Sequence, residues 1–245
     1  MAQLPASVGS CKPNSYSLRK LGTSQVLLFF PPGSINFYFA DLACVLAGIT
    51  TFGLPVSPCP KVLPPVDGVI CDKKLRDGIP MTETNCSIEI EDPTFWSDLE
   101  PCDIREDDTD PIDSIYTVLY TCGFTGTPSP VPISRVRFLE DFSIKELPDK
   151  STRPGCLYSY MPPCWATDRQ TVYLSLFYGH RVGFSRQQPT LPQILEDAER
   201  LEPTEIVLPS VILQWMSGMD PPPSLGKRLE FVLCGGSFIG ESMKR

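Results

Sequence analysis

The chain has 245 residues and a formal net charge of −8, with 42% hydrophobic and 20% charged residues. This length and composition are typical of a globular protein that can bury a sizeable core. The acidic balance argues against a general nucleic-acid binder, because binding to phosphates requires an excess of Lys and Arg. The 27 prolines, about twice the usual share, favour short elements and many loops over long helices.

The ten cysteines and the single histidine do not form a metal-binding pattern. No two cysteines have the C-x-x-C spacing, and structural zinc sites need closely paired ligands, so we expect no metal site. The first fifteen residues lack the basic and apolar regions of a signal peptide. We therefore expect a cytoplasmic protein whose cysteines are reduced and mostly fill the core. His180 follows Gly179 at a predicted helix end, so a surface or capping position is expected.

The first part of the chain predicts a strand–helix–strand unit. An apolar run at Val26–Phe30, ended by Pro-Pro-Gly, predicts a buried strand. Apolar residues at helical spacing predict a helix over Ile35–Gly48, and Ile49–Val56 predicts the next strand. The stretch 35–56 is as long as a membrane span, but Asp41 within it argues against one. We expect Asp41 to make a local hydrogen bond or salt bridge.

The segment 59–111 is acidic and rich in proline. Ten acidic residues and one Arg lie between Glu89 and Asp110. We interpret the segment as an irregular connector within the domain, with one short strand at Val69–Cys71. An acidic metal site is the alternative, but no Asp-x-Asp-x-Asp-Gly loop supports it.

Regular elements are predicted again after this segment. Strands are indicated by short runs of β-branched and aromatic residues, and helices by apolar residues at helical spacing with capping signals. The result is an α/β fold with mainly parallel sheets flanked by helices. The strands are predicted at Ile115–Tyr120, Leu157–Tyr160, Val182–Phe184, Glu205–Leu208 and Leu229–Leu233, and the helices at Asp168–Tyr178 and Leu191–Leu201, the latter with Thr190 as N-cap.

A Gly- and Thr-rich loop directly follows the strand Ile115–Tyr120. From Thr121 to Pro128 it reads T-C-G-F-T-G-T-P. Glycines allow the backbone to turn tightly near an anion, and hydroxyl and N–H groups then hold phosphate oxygens. The loop is neither a Walker nor a Rossmann motif. Taken alone, it fits an ordinary turn equally well.

The same loop resembles the Y-T-S-G-(S/T)-T-G-x-P-K-G loop of the adenylate-forming (AMP-binding) superfamily. Five further blocks occur in family order and are most similar to long-chain fatty acyl-CoA synthetases. These blocks are F-A-D-L-A-C-V-L-A-G at 39–48, S-Y-M-P at 159–162 with Arg169, Gly179 with V-G-F at 182–184, the segments 201–204 and 208–211, and the segment from Leu225 to Gly236.

The resemblance implies that residues 1–245 form part of the N-terminal domain of such an enzyme. It implies ATP with Mg²⁺, CoA as co-substrate, a fatty acid or other carboxylate as substrate, and a cytoplasmic location that allows peripheral membrane association. The family reaction forms an acyl-adenylate and then a thioester. Phosphate binding is implied for Thr121, Cys122, Gly123, Phe124, Thr125, Gly126 and Thr127, and an adenine or acyl pocket for Trp165, Gly235, Gly236 and Ser237.

The chain also departs from the family pattern. Ser129 and Pro130 stand where the loop has Lys and Gly, and Cys122 and Phe124 replace two hydroxyl residues. A phosphate clamp without its cation loses charge-assisted hydrogen bonds. The sequence to Arg245 contains no Y-G-x-T-E motif, no hinge motif and no adenylation Lys. We therefore expect no catalytic residue in this chain, impaired or absent activity for it alone, and a need for a partner or a C-terminal domain.

Two other functions remain open at this point. One is a non-catalytic protein, truncated or a pseudo-enzyme, that acts as a binding or interaction module. The other is an unrelated hydrolase, because Gly235-Gly236-Ser237 begins like G-x-S-x-G, although Ile239 breaks that motif.

Overall fold

The computed structural model describes residues 24–55, 64–79, 86–90, 111, 113–121, 128–144, 155–185, 189–219 and 224–235. Within these residues lie ten β-strands and five α-helices. They divide into two compact units. The first lies within 1–30 and 35–135, and the second within 31–34 and 136–245.

The first unit is built on a six-stranded sheet in the order β4-β3-β1-β2-β5-β6. All neighbouring strands are parallel except β6, which runs antiparallel to β5. Its elements are β1 (Gln25–Phe29), α1 (Ile35–Leu46), β2 (Thr50–Gly53), β3 (Gly68–Asp72), a 3₁₀ helix (Lys73–Gly78), β4 (Cys86–Ile90), β5 (Ile115–Tyr120) and β6 (Pro130–Ser134).

The inner strands of this sheet are apolar along almost their whole length. Four of the five residues of β1 are buried, as are four of the five residues of β3. Such continuous burial is typical of a parallel sheet, because both of its faces are covered. One face carries a cluster of buried side chains that includes Leu27, Phe52, Val69 and Val118, and Tyr120 packs against it.

Several elements of this unit confirm the sequence analysis. The predicted strand, helix and strand correspond to β1, α1 and β2, and β5 has the predicted bounds. The helix α1 ends just before Gly48, whose φ of +70° is the left-handed conformation expected of a helix stop. The stretch 35–56 is therefore a short helix followed by a strand.

The predicted connector 59–111 contains two strands in its described part, of which only the first was predicted. Strand β3 includes the predicted strand Val69–Cys71, and β4 pairs with β3 in parallel. In β4 the side chains of Ser87 and Glu89 are exposed, whereas those of Ile88 and Ile90 are buried. This alternation is the ordinary pattern of a strand, but the acidic residues that follow obscured it. Residues 91–110 lie outside the described part of the chain.

Strand β6 was not predicted, because Pro130 and Pro132 lie in it. The pairing explains why the strand tolerates them. Thr121 and Ser129 form a hydrogen-bonded pair, and pair types alternate along an antiparallel ladder. The pairs Tyr120–Pro130 and Val118–Pro132 are therefore non-hydrogen-bonded pairs, in which proline loses no ladder bond.

The second unit is built on a four-stranded, fully parallel sheet in the order β10-β9-β7-β8. Predicted and observed elements agree for β7, α3, β8, α4 and β9. Strand β10 lies two residues further along than predicted, and α2 and α5 were not predicted. The elements are α2 (Arg135–Ile144, which begins at the last residue of the first unit), β7 (Cys156–Ser159), α3 (Ala166–Phe177), β8 (Arg181–Phe184), α4 (Leu191–Leu201), β9 (Glu205–Pro209), α5 (Ser210–Ser217) and β10 (Phe231–Gly235).

Helix α4 shows how local sequence fixes an element. Thr190 is its N-cap, as predicted, and the Gln193 side-chain oxygen accepts a 2.8 Å hydrogen bond from the Thr190 backbone N–H. This contact satisfies a donor that the start of a helix leaves unpaired. Ile194 and Ala198 form the buried stripe of the helix.

The short segment 31–34 belongs to the second unit although it lies between β1 and α1. The Gly33 backbone N–H donates to the Met161 carbonyl oxygen at 3.4 Å. Gly33 has a φ of +69°, and a Cβ added to it would lie 2.5 Å from the Ser185 carbonyl oxygen. Both the backbone conformation and the close approach require glycine at this position.

Candidate functional site

The two ends of the predicted phosphate-binding loop meet at the end of β5. The Thr121 backbone N–H donates to the Ser129 carbonyl oxygen at 3.0 Å. The Ser129 backbone N–H donates to the Thr121 hydroxyl oxygen at 2.9 Å. Residues 122–128 connect Thr121 to Ser129, and the two hydrogen bonds join the ends of this connection. We call the Thr121–Ser129 contact the mouth of the loop.

Strand β5, which leads into the loop, is fixed on both of its faces. Val118 and Tyr120 pack against the core cluster of the first unit, and burial raises the pKa of Tyr120. On the opposite face Thr117 Oγ1 lies 3.0 Å from Thr51 Oγ1, which in turn lies 3.1 Å from Asp41 Oδ1. These three polar side chains are fully buried, so the network connects α1, β2 and β5.

Asp41 therefore contacts a residue on the following strand. Thr51 is ten residues further along the chain, on β2. The sequence predicted a local contact for Asp41, and the two residues are indeed close in the chain. Their position in the fold gives the contact its importance, because Thr51 also touches Thr117 on β5.

Arg135 fixes the far end of the same hairpin. Its backbone N–H donates to the Ser114 carbonyl oxygen at 3.0 Å, and its Nε donates to the Ser114 hydroxyl at the same distance. Its terminal nitrogen donates to the Val45 carbonyl oxygen at 3.3 Å, near the end of α1. A cation is favourable at a helix C-terminus. Arg135 thus has a structural role in this unit, because it joins Ser114 and the end of α1.

Among the sequence-predicted phosphate ligands, Thr121 alone lies in the described part of the chain. Cys122, Gly123, Phe124, Thr125, Gly126 and Thr127 lie outside it, so their roles stay predictions. Ser129, at the family's Lys position, is exposed. The described ends of the loop thus offer the hydroxyl groups of Thr121 and Ser129 and no cationic side chain.

In the second unit the strand order changes direction between β7 and β9. The chain proceeds from β7 to β8 on one side and from β9 to β10 on the other. Ligands of open α/β sheets bind beyond the carboxyl ends of the strands at such a switch point. Tyr160 directly follows β7 here, and Trp165 lies in the β7–α3 connection.

The predicted adenine or acyl pocket is only partly described. Gly235 is the last residue of β10, and Trp165, 44% exposed, is the N-cap residue of α3. Both lie at the carboxyl side of the sheet in the second unit, whereas Thr121 belongs to the first unit. Gly236 and Ser237 lie outside the described residues.

Tyr160 is a buried group that the sequence analysis did not single out as a site residue. Its hydroxyl oxygen is buried and has no hydrogen-bond partner among the described residues. Burial raises the pKa of Tyr160, with smaller contributions from Tyr158, Asp168 and Cys234, so the phenol stays protonated. The sequence signal for Tyr160 was its place in the S-Y-M-P block at 159–162, which resembles the family pattern.

Asp168 occupies the first turn of α3 and is buried together with Arg169. The Ser159 hydroxyl donates to its carboxylate, with distances of 2.9 and 3.1 Å to the two oxygens. A carboxylate near a helix N-terminus is stabilised by the helix dipole. The contact therefore connects the carboxyl end of β7 to the start of α3.

His180 was predicted at a surface or capping position. Its backbone N–H donates to the Ser175 carbonyl oxygen at 2.8 Å, just past the end of α3, which agrees with a capping position. The surface alternative is wrong, because the side chain is buried. Its Nδ1 lies 3.0 Å from Glu205 Oε1, and the two side chains are only 5% and 3% exposed. The contact lacks the geometry of an aligned hydrogen bond. A Cβ at Gly155 would lie 2.7 Å from His180 Nδ1. The sequence neighbourhood hid this arrangement, because Glu205 is distant along the chain.

The described residues do not supply a magnesium site. No group of three or more His, Cys, Asp or Glu side chains converges among them. We therefore assign no described residue to Mg²⁺ and derive no step through it. Likewise, no helix in the described part of the chain is long and apolar enough to cross a membrane.

Comparison with known proteins gives the family. Residues 59–245 match the model of the AMP-binding enzyme family, which is more than half of the chain. The chain therefore belongs to the AMP-binding enzyme family. No curated protein sequence matches it significantly.

Solved structures with the same fold agree with this assignment. O-succinylbenzoate coenzyme A synthetase (MenE) from Bacillus subtilis, in complex with AMP, is 18% identical, with a TM-score of 0.63 over 87% of this chain and 55% of that one. The N-terminal domain of FACL13 from Mycobacterium tuberculosis is 17% identical, with a TM-score of 0.68 over 94% and 61%. A red-emitting luciferase from Phrixothrix hirtus is 18% identical, with a TM-score of 0.68 over 96% and 50%. The chain thus spans between half and two thirds of each of these proteins.

Proposed function

We propose that this chain carries the nucleotide-binding part of an ATP-dependent ligase that activates a carboxylate. In the proposed reaction a carboxylate oxygen bonds to the α-phosphorus of ATP and pyrophosphate leaves. The CoA thiolate then attacks the acyl carbon and AMP leaves. By resemblance the carboxylate is a long-chain fatty acid. The free cysteines of the described residues favour a cytoplasmic location.

The observation that carries this proposal is the position of the Gly- and Thr-rich loop. The loop lies inside the matched residues 59–245. Its ends are joined at the carboxyl end of β5 by the contacts between Thr121 and Ser129. Glycine-rich loops at the carboxyl end of a parallel strand commonly hold phosphate groups.

The composition of the loop favours weak binding. Ser129 replaces the cation that a phosphate clamp uses, so a charge-assisted contact worth about 1.5–3 kcal/mol is missing. The Thr121 hydroxyl remains a donor, because its oxygen accepts from Ser129 while its proton is left for another acceptor. We therefore propose retained nucleotide binding with impaired or absent turnover.

Thermal unfolding with ATP, AMP or no ligand tests the proposal. A ligand that binds the folded state raises its stability, so millimolar ATP should raise the Tm. Gly123→Asp, which adds a carboxylate to the loop, should abolish that increase. Gly78→Asp is the matched control, because an added Cβ there meets nothing within 4 Å. The absence of a Tm increase for the wild-type chain at millimolar ATP would contradict nucleotide binding.

A second candidate function is a non-catalytic interaction module. Trp215 on α5 and Phe177 at the end of α3 are 57% and 72% exposed. Each of these large apolar side chains is a candidate contact point for a partner. Size-exclusion chromatography with light scattering discriminates, because a folded monomer at high concentration argues against a chain that needs a partner.

A further inference from the structure

We infer that Thr121 is a positioning residue that clamps the mouth of the loop, in addition to any contact with phosphate. The inference rests on the proposed nucleotide binding and adds to it the residue whose side chain joins the two ends of the loop. It depends on Thr121 and Ser129, which are both described.

The hydrogen bonds at the mouth are not those of an ordinary ladder. In an antiparallel pair of this kind the two residues exchange two backbone bonds. Here the Thr121 N–H donates to the Ser129 carbonyl at 3.0 Å as expected. The Ser129 N–H instead donates to the Thr121 hydroxyl oxygen at 2.9 Å. The Thr121 side chain therefore takes the place of the Thr121 backbone carbonyl as the acceptor of the second hydrogen bond.

The contact between Thr121 and Ser129 affects ligand binding because it joins the two ends of the proposed phosphate-binding loop. Residues 122–127 include two glycines, and glycine loses more conformational freedom than other residues when it is ordered. Joining the ends of such a loop reduces the number of conformations that a ligand must select from. The hydroxyl of Thr121 thus acts on affinity through the backbone of the loop.

The rest of the hairpin makes this local effect possible. Strand β5 is fixed by the Thr117–Thr51–Asp41 network and by Arg135 at its other end. Loss of the Thr121 hydroxyl should therefore loosen the mouth without displacing the strand. The ladder would still be held by the next hydrogen-bonded pair, Leu119 and Val131.

Three variants test the inference. Thr121→Val removes the acceptor with little change in shape, and Thr121→Ser keeps it. Thr50→Val is the matched control, because the Thr50 hydroxyl donates to the Ile115 carbonyl at 2.8 Å, at the other end of β5. The readouts are amide hydrogen exchange at Ser129, Tm and the dissociation constant for ATP.

We expect Thr121→Val to speed Ser129 amide exchange in the ligand-free protein and to weaken ATP binding about fivefold, the effect of one net hydrogen bond. Thr121→Ser should restore both, and Thr50→Val should change neither while lowering Tm to a similar extent. Weaker ATP binding by Thr121→Val with unchanged Ser129 exchange would overturn the inference, since Thr121 would then act by touching phosphate. If the wild-type chain binds no ATP, the proposed function fails, while exchange at Ser129 still decides whether the clamp exists.

Discussion

Buried polar side chains in both units contact partners on other elements. Asp41 reaches Thr51, and His180 reaches Glu205. The sequence identifies such residues as unusual because charged groups are rarely buried without a partner. It does not identify the partner when strand order, rather than chain order, brings the two together. For this reason the sequence predicted the helix-end position of His180 but not its burial against Glu205, whereas Asp41 and Thr51 are close in the chain.

Tyr160 provides a test at the scale of one atom. Tyr160→Phe removes a buried hydroxyl for which the described part of the chain offers no hydrogen-bond partner. A buried polar group without a partner costs about 1–3 kcal/mol, so this variant should leave the free energy of unfolding unchanged or raise it. Urea unfolding of the purified chain measures the effect.

Tyr158→Phe, on β7 two residues before Tyr160, is the control. The Tyr158 hydroxyl donates to Asp197 at 2.9 Å, and hydrogen bonds to charged groups contribute about 1.5–3 kcal/mol. We expect clear destabilisation from this second variant. Equal destabilisation by both variants would show that the Tyr160 hydroxyl has a partner in solution.

At the scale of elements, the sequence predicts best where the signal is local. The bounds of β5 and α4 follow from a β-branched run and from a capped helix. Strand β6 was missed because its prolines are compatible with a strand only in non-hydrogen-bonded pairs of the ladder. The pairing of β6 with β5 cannot be seen in the sequence of either segment alone. The sequence therefore predicted the loop but not the hydrogen bonds between Thr121 and Ser129 that join its ends.

The edge formed by β6 has a further property. Pro130 and Pro132 face away from β5 with nitrogens that carry no hydrogen. Each proline removes one donor from the outer edge of the strand, and an edge with fewer donors is a poorer template for pairing with another chain. The strand that closes the loop is therefore protected against edge-to-edge association on its outer side.

Asp67 controls how β1 begins, and it makes stability depend on pH. Its carboxylate accepts hydrogen bonds from the Ser24 hydroxyl, the Ser24 N–H and the Gln25 N–H. These bonds, that of the Ser24 side chain foremost, hold the pKa of Asp67 below its ordinary value. A lowered pKa in the folded state adds stability above the unfolded pKa of about 3.9, and this stability is lost as the pH falls through the folded pKa.

Asp67→Asn should therefore flatten the acid side of the stability curve. We expect the wild-type chain to lose unfolding free energy more steeply than the variant as the pH drops below about 4. Urea unfolding between neutral and acidic pH measures the two slopes, and carbon NMR of the Asp67 carboxyl group gives its pKa directly. Identical slopes would contradict the assignment.

At the scale of the whole molecule, composition and motif order predicted the class of fold. The α/β prediction and the resemblance to an N-terminal domain of acyl-CoA synthetases are confirmed by the family match and by solved structures of the same fold. The long-chain fatty acid stays a proposal, because neighbours with the same fold include MenE and a luciferase. Substrate choice depends on pocket shape, which neither motifs nor fold determine.

The described cysteines of both units can be used to probe whether each unit is tightly packed. Cys44, Cys71, Cys156 and Cys164 are free and buried, and Cys234 is half-buried. Burial raises the pKa of both Cys71 and Cys164 to about 12, and the thiol form reacts slowly with alkylating reagents. We expect iodoacetamide at pH 8 to modify these two cysteines only after unfolding. Peptide mass spectrometry measures this, and rapid labelling of native Cys164 would show that the second unit opens.

The segment 31–34 gives the chain an unusual order of connection. The polypeptide passes from the first unit to the second at 30/31, returns at 34/35, and passes again at 135/136. A fragment that starts at residue 136 would lack Gly33, whose N–H bonds to Met161 and whose Cα lies against Ser185. The residues of the two units thus alternate along the sequence. A single recombination point could not separate the units and leave each with all of its own residues.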